Sequence, residues 1–552
     1  MFFILLPQEE LLKIIKVMKV KRLLGNLLVL TIPTLFFVSC TKEKFAPQQE
    51  KQTENIGVIK LGKQIDDPYR LENMQRAYNN LYGDLLKTEL QATHKYVRFL
   101  PKNEEELDLL KNDTSIVLYD YPLDYEISEG EGTYHDEEIP DTCITWQYTV
   151  VPYNYIFPNI TNELIYEVFI PEEDNGKLKN CNLYDIEEEA FRITGNIDTG
   201  NDINLKASRW NPSGNISVWD DMFKQCVPLK GAKVQTRWST NIKTCKTDAK
   251  GDFYQSHGFL YQVNYAIKWE GEDFDIREGV AGQAWYNGPK QKGRWNLEIK
   301  SGNSLRYATI FRAAYKFYYD NDIDLYKLHG GQREKIAYKD KSWDKGSGRE
   351  QEICTIIPSL NDIIIFGKRN YKFVGLPEYY YTHEIIETTL HELGHRVHVK
   401  VMGIVKFRTI SDFVCESWAQ AVSWVLSNDE YRDMASRIHR LDFLNYTSML
   451  HYDLGWESTT EGTLRDYSPI FIDLIDDVNQ KYYDKDKYGN IMKKDRISPY
   501  IPDDKVTGFT LKYIQDKILP TSFGASSLKE SIRKNKISTV NSTDLETLLS
   551  YY

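Results

Sequence analysis

The sequence predicts a multidomain α+β protein, with a β-rich N-terminal half that includes a β-sandwich and a mainly helical C-terminal domain. Three observations lead there. The chain has 552 residues, too many for one core. Two central segments, Ala232–Trp238 and Val263–Ile267, alternate polar and apolar residues with the period of a strand. From about residue 285 the spacing becomes helical, over Leu305–Tyr319, Glu384–Met402, Val414–Ser427, Tyr467–Gln480, Leu511–Leu519 and Leu528–Lys534. The composition suits a folded chain, with 41% hydrophobic and 27% charged residues. A formal net charge of −11 offers no basic footprint, so no nucleic-acid partner is expected. The 38 tyrosines are ascribed to strand content and biased composition rather than to sugar-binding platforms.

Residues 1–40 read as a processing signal. Met18 reads as the start, Lys19, Lys21 and Arg22 form a basic region, and an apolar stretch runs from Leu23 to Val38. Ser39-Cys40 closes it and resembles the lipobox of bacterial lipoproteins, with Phe37 where Leu is usual. An uncleaved anchor is the competing reading, but the stretch is short and Pro33 interrupts it. The resemblance implies a lipid on Cys40 that ties an exported protein to the outer membrane or cell surface of a Gram-negative bacterium. Thr41-Lys42-Glu43-Lys44 is loosely similar to surface-export signals.

Residues 41–56 are expected to be a polar tether, and 57–190 an α+β domain of unknown role. Within the latter, Leu71–Leu90 has helical character, while Val97–Leu100 and Ile116–Tyr119 have strand composition. Residues 191–282 are expected to form the β-sandwich. Pro228-Leu229-Lys230-Gly231-Ala232-Lys233-Val234, followed by Thr247-Asp248-Ala249-Lys250-Gly251-Asp252-Phe253, resembles the carboxypeptidase regulatory-like (transthyretin-like) domain, an accessory module. Besides Cys40 the chain has Cys143, Cys181, Cys226, Cys245, Cys354 and Cys415. Of these, Cys226 and Cys245 share one β-type segment and are the favoured disulfide pair.

Residues 283–552 hold the residues that carry chemistry. His391-Glu392-Leu393-Gly394-His395 lies inside a helical pattern. Positions i and i+4 lie on one helix face, so the two imidazoles present to one point, as zinc ligands do. Glu392 follows the first ligand, where a carboxylate can take a proton from a metal-activated water and pass it to a leaving amine. Gly394 costs up to about 1 kcal/mol within a helix. Close approach of another element at the metal would be a functional reason for it, and simple tolerance of glycine is the alternative. Twenty-one residues after His395, Glu416 opens a second helical segment. It falls opposite the apolar stripe Val414, Trp418, Ala421, Val422 and Val425, on a face with the small residues Ala419 and Ser423. A small face lets two helices pack closely and aims the carboxylate across the gap. A dipole-complementing surface Glu would look alike in sequence.

Two His and one Glu in this order resemble the gluzincin clan of zinc metallopeptidases. The resemblance implies a zincin-like catalytic domain, one Zn²⁺ per chain held by His391, His395 and Glu416, Glu392 as general base, and a protein or peptide substrate. Glu416-Ser417-Trp418-Ala419 is also similar to secreted lipoprotein peptidases of Gram-negative bacteria. Two residues depart from the pattern. Arg396 stands where zincins usually have an uncharged residue, and Gln420 stands where thermolysin-like members have an Asp that orients a ligand His. Val401 occupies the third-His position of metzincins, which excludes that set. An oxyanion donor is needed. The candidates are Tyr467, then Tyr452, then His451, and Tyr467 is taken into the catalytic set. His383 and His398 are read as off the ligand face. Asp484–Asp495 partly imitates a calcium loop, but Tyr488 at the fifth position favours a hairpin turn. The competing function is a surface adhesin or glycan- or protein-binding lipoprotein with an inactive zincin domain.

Overall fold

The computed structural model describes residues 59–83, 88–129, 133–140, 143–174, 178, 181–197, 208–278, 282–327, 333–342, 363–368, 379–448, 468–495, 497 and 501–552. These form a mixed α+β molecule. Among them no helix is long and apolar enough to cross a membrane. The signal and lipobox residues, the tether, Cys354, His451, Tyr452 and Tyr467 lie outside the described residues.

β1 (Lys60–Gln64) leads into α1 (Leu71–Tyr82), which buries Met74, Ala77 and Tyr78 along one face. After β2 (His94–Leu100), α2 (Glu104–Asn112) starts where the Asn103 side chain accepts from the Glu106 N–H. β3 (Tyr125–Glu129) pairs with β1, while β4 (Gln147–Pro152) and β5 (Thr161–Val168) flank β2 in an antiparallel sheet. α3 (Leu183–Ile193) follows. Ile116–Tyr119, expected as a strand, makes a single bridge from Tyr119 to Tyr148. Its apolar side chains Ile116 and Leu118 instead fill a small core with Val97, Phe99, Leu107 and Val151.

Ten strands come next: β6 (Ser213–Asp220), β7 (Gln225–Pro228), β8 (Lys233–Trp238), β9 (Asn241–Lys246), β10 (Asp252–Tyr254), β11 (Val263–Lys268), β12 (Phe274–Glu278), β13 (Gly282–Gln283), β14 (Trp285–Gln291) and β15 (Trp295–Ile299). Two sheets face each other, one of order β10-β6-β15 with β7 beside β6, the other of order β14-β11-β8-β9. Phe253, Tyr265 and Trp295 bind them together, with ring centroids 6.1, 6.3 and 5.1 Å apart. Both sheets take strands from beyond residue 282, since β14 pairs with β11 and β15 adds in parallel to β6. The favoured disulfide is not formed. Cys226 and Cys245 sit in different sheets, and both are free thiols. Nearness in sequence did not place them at facing positions.

The remaining framework is α4 (Gly302–Tyr319), β16 (Glu334–Ser342), β17 (Ile363–Lys368), α5 (Thr382–Met402) and α6 (Asp412–Arg437). β12, β16 and β17 run parallel, with β13 at the far edge. Ile363, Ile364, Ile365 and Phe366 are all buried, the run expected of a strand covered on both faces. Both α5 and α6 bury nearly every side, so the apolar stripe on α6 is one part of an all-round core contact. Further on, α7 (Ala525–Lys534) and α8 (Ser542–Leu549) complete the chain. Of the helix expected over Tyr467–Gln480, only Ile470–Asp473 is helical among the described residues. Asp473 and Asp476 there serve a carboxylate cluster instead.

Buried charges tie these parts together. Arg312 on α4 donates to Asp220 at the end of β6 (2.8 Å) and to Glu430 on α6 (3.0 Å), and the Tyr431 hydroxyl donates to the same Asp220 oxygen (3.2 Å). On the other flank, Lys111 of α2 pairs with Asp275 of β12, while Glu104 of α2 accepts from Arg277 (2.9 Å) and Lys335 (3.1 Å). Removing one member of a buried set leaves its partners uncompensated. Arg312→Met is therefore expected to lower the unfolding free energy by about 3–5 kcal/mol. Urea titration measures this, and a loss near zero would show that Asp220 and Glu430 find other partners.

Candidate metal centre

α5 begins where Glu384 reaches back to the Tyr381 N–H (2.8 Å), and it ends at Gly403, whose φ of +74° favours glycine. Between these ends His391 and His395 project from one face, with ring centroids 4.8 Å apart and planes at 87°. α6 crosses that face in the opposite direction. A Cβ on Gly394 would stand 2.9 Å from the Ala419 Cα and 3.2 Å from the Val422 Cβ, so the glycine is what permits the approach. Trp418 Nε1 donates to the Gly394 carbonyl (3.0 Å), and Ser423 Oγ donates to the Glu387 carbonyl (2.6 Å). The small residues Ala419 and Ser423 thus form the contact that the sequence suggested.

This crossing delivers Glu416 to the histidines. Its Oε2 lies 3.1 Å from His391 Nε2 and 3.4 Å from His395 Nε2. The three donor atoms lie within 4.8 Å of one another. His391 and His395 are each 4% exposed and Glu416 is 6% exposed. A tetrahedral shell with bonds of about 2.0–2.2 Å places its donors roughly 3.3–3.6 Å apart, close to the 3.1 and 3.4 Å from Glu416 to the two imidazoles. Burial alone would raise the Glu416 pKa, but the His395 and His391 imidazoles outweigh it and hold the carboxyl down to about 2. It is therefore ionised at neutral pH, as a ligand must be. Glu392, one residue after the first histidine, is also buried, at 1% exposed.

Arg396 has a local explanation. Its Nε donates to Glu334 Oε2 (2.8 Å) at the start of β16, in a partly buried ion pair that docks α5 on the parallel sheet. Gln420 is buried one turn beyond Glu416, and its amide nitrogen has no hydrogen-bond partner among the described residues. His398 lies deeper than its sequence position suggested. It is fully buried, edge-on to Phe407 at 5.3 Å, and burial, then His395, lower its pKa to about 3. It is a neutral core imidazole. His383 is half-buried and stacks on Tyr381 at 5.7 Å.

A second buried cluster escaped the sequence reading. Asp473, Asp476 and Asp504 bring carboxylate oxygens within 4.8 Å of one another. Tyr552 donates to Asp473, Gln480 to Asp476 (2.8 Å) and the Val506 N–H to Asp504 (2.8 Å). Burial, then repulsion from Asp473 and Asp476, pushes Asp504 well above the usual carboxylate range. The i, i+3 spacing of Asp473 and Asp476 was visible, but the partner 28 residues on was not. The calcium-like segment is a hairpin turn: β18 (Tyr483–Lys485) and β19 (Ile491–Lys493) pair, and Asp486 accepts from the Tyr488 and Asn490 N–H groups (both 2.9 Å).

No known protein family, curated protein or solved structure matches the chain.

The crossing makes Gly394 sensitive. Gly394→Ala gains helix propensity yet must push α6 away, so a net loss of about 1–3 kcal/mol is expected. Thermal unfolding reads it, and an unchanged or raised Tm would mean that α6 shifts freely.

Proposed function

We propose that this chain is a zinc-dependent peptidase of the gluzincin type, hydrolysing peptide bonds of extracellular proteins or peptides. The observation that carries the reading is the convergence of His391, His395 and Glu416, with Glu392 between the two histidines on the same helix. Two imidazoles and one ionised carboxylate leave a fourth position open, which suits a catalytic rather than a structural zinc. A zinc ion there would polarise the scissile carbonyl and make a water acidic enough to attack it near neutral pH. Glu392 would accept that water's proton on its carboxylate and return it to the leaving amine. The burial of these four side chains would strengthen both electrostatic roles by lowering the local dielectric. Tyr467 is proposed as the donor to the developing oxyanion, on its position after the ligand helices. The N-terminal signal supports an exported protein anchored through a lipid on Cys40 at the outer membrane or cell surface of a Gram-negative bacterium. The sandwich is proposed to be a transthyretin-like module beside a zincin-like domain.

Elemental analysis of the purified chain should find about one zinc per molecule. His391→Ala should lose it. Glu392→Gln should keep the zinc while hydrolysis of a casein-type substrate falls at least about 10²-fold. Full activity in Glu392→Gln would sink the mechanism. Absent zinc, or zinc without turnover on any peptide, would favour a binding lipoprotein with an inactive domain.

A further inference from the structure

We infer that Asp220 and Asp221, at the β6–β7 turn of the sandwich, clamp the two helices that carry the proposed metal ligands and so set the geometry of the centre. The inference rests on the metal-centre reading above.

Each residue of the pair holds one helix. The Asp221 backbone N–H donates to Thr382 Oγ1 (2.8 Å), and Asp221 Oδ2 accepts from the Thr382 backbone N–H (2.9 Å). Thr382 is the first residue of α5 and is fully buried. Its N–H is one of the donors that a helix start leaves without an internal partner. Here the partner comes from the sandwich, 161 residues away. The Asp221 carboxylate is itself held in place, because its Oδ1 accepts from Trp219 Nε1 (3.0 Å). Lys224, from the same turn, places its ammonium 5.8 Å from the centre of the Tyr381 ring, just before α5.

Asp220 grips α6. Its Oδ2 accepts from the Tyr431 hydroxyl on α6 and from Arg312, which also reaches Glu430 on α6. Its Oδ1 accepts from the Met222 (2.8 Å) and Phe223 (3.1 Å) N–H groups, which fix the turn. Two adjacent residues therefore hold the helix with His391 and His395 and the helix with Glu416.

A helix transmits such a constraint. From Thr382 to His391 is nine residues, about 13.5 Å along the axis. A slide or rotation of α5 at its start moves both imidazoles together relative to Glu416. Metal ligands lose affinity when misplaced by about 0.5 Å or more. The sandwich in this reading is a structural part of the metal centre, and Thr382 and Asp221 are positioning residues that touch no ligand.

The test compares Thr382→Val with Thr382→Ser in the full chain. Valine keeps the shape but removes the acceptor for the Asp221 N–H, and serine keeps the hydroxyl. Zinc affinity is measured by chelator competition, and ligand geometry by the visible absorption of the cobalt(II)-loaded protein. Thr382→Val should bind zinc about tenfold more weakly and alter the cobalt spectrum, with an unchanged circular dichroism spectrum. Thr382→Ser should return both readouts to the parent's. Parental affinity and spectrum in Thr382→Val, or a serine variant as weak as the valine one, overturn the inference. If Thr382→Val does not fold, Asp221→Ala carries the same measurements, because it removes the carboxylate that accepts from the Thr382 N–H, and parental behaviour there overturns the inference. His391→Ala separates the two failures. If it keeps zinc like the parent, the metal-centre reading falls and takes the clamp with it. If it loses zinc while the clamp variants bind like the parent, the clamp alone is wrong.

Discussion

The close crossing of α5 and α6 at Gly394 and Ala419 is the constraint on which the candidate centre depends. With no Cβ at Gly394, the Ala419 backbone can pack against α5, and the Trp418 indole and Ser423 hydroxyl lock the pair through carbonyls of α5. Only at that separation does a side chain as short as glutamate span the gap and place one oxygen 3.1 and 3.4 Å from two imidazole nitrogens. The arrangement costs helix propensity at residue 394 and the desolvation of Glu416. The imidazoles offset the second cost, which is why the carboxylate stays ionised.

Around this crossing the chain uses buried ion pairs as locating pins. Arg396 meets Glu334 beneath α5, Arg312 joins β6 to α4 and α6, and Glu104, Lys111, Asp275, Arg277 and Lys335 knit α2 to the parallel sheet. Apolar contact is non-directional, so packing alone tolerates small slides between elements. A buried pair left unmatched is expensive, so it penalises such slides. The pins link regions that composition separates, and the apolar core likewise runs through the N-terminal layer, the sandwich and the helices.

Much of this was legible in the residues. Periodicity placed α4, α5, α6 and α7 to within a few residues at their starts, and alternation placed β8 and β11. Gly394, Ala419 and Ser423 signalled a close helix pair because small side chains have few other uses on a buried face. Composition and periodicity misplaced elements where side chains had another task. Ile116 and Leu118 fill a core instead of joining a ladder, and Asp473 and Asp476 turn toward Asp504 where a longer helix was expected. The Cys226–Cys245 pairing failed because β7 and β9 belong to different sheets.

By itself, the sequence determined that His391 and His395 share a helix face, that Glu392 sits between them, and that Glu416 follows on a helix with a small face. Those relations are local, set by about 100° of rotation per residue. Only the tertiary structure decided what lies against them: Glu334 under Arg396, Asp221 at the start of α5, Asp220 gripping α6, and the parallel order of β12, β16 and β17. These partners are 62 to 211 residues apart where bonds join them. Such pairings arise from the shape of the whole core, which no local spacing encodes.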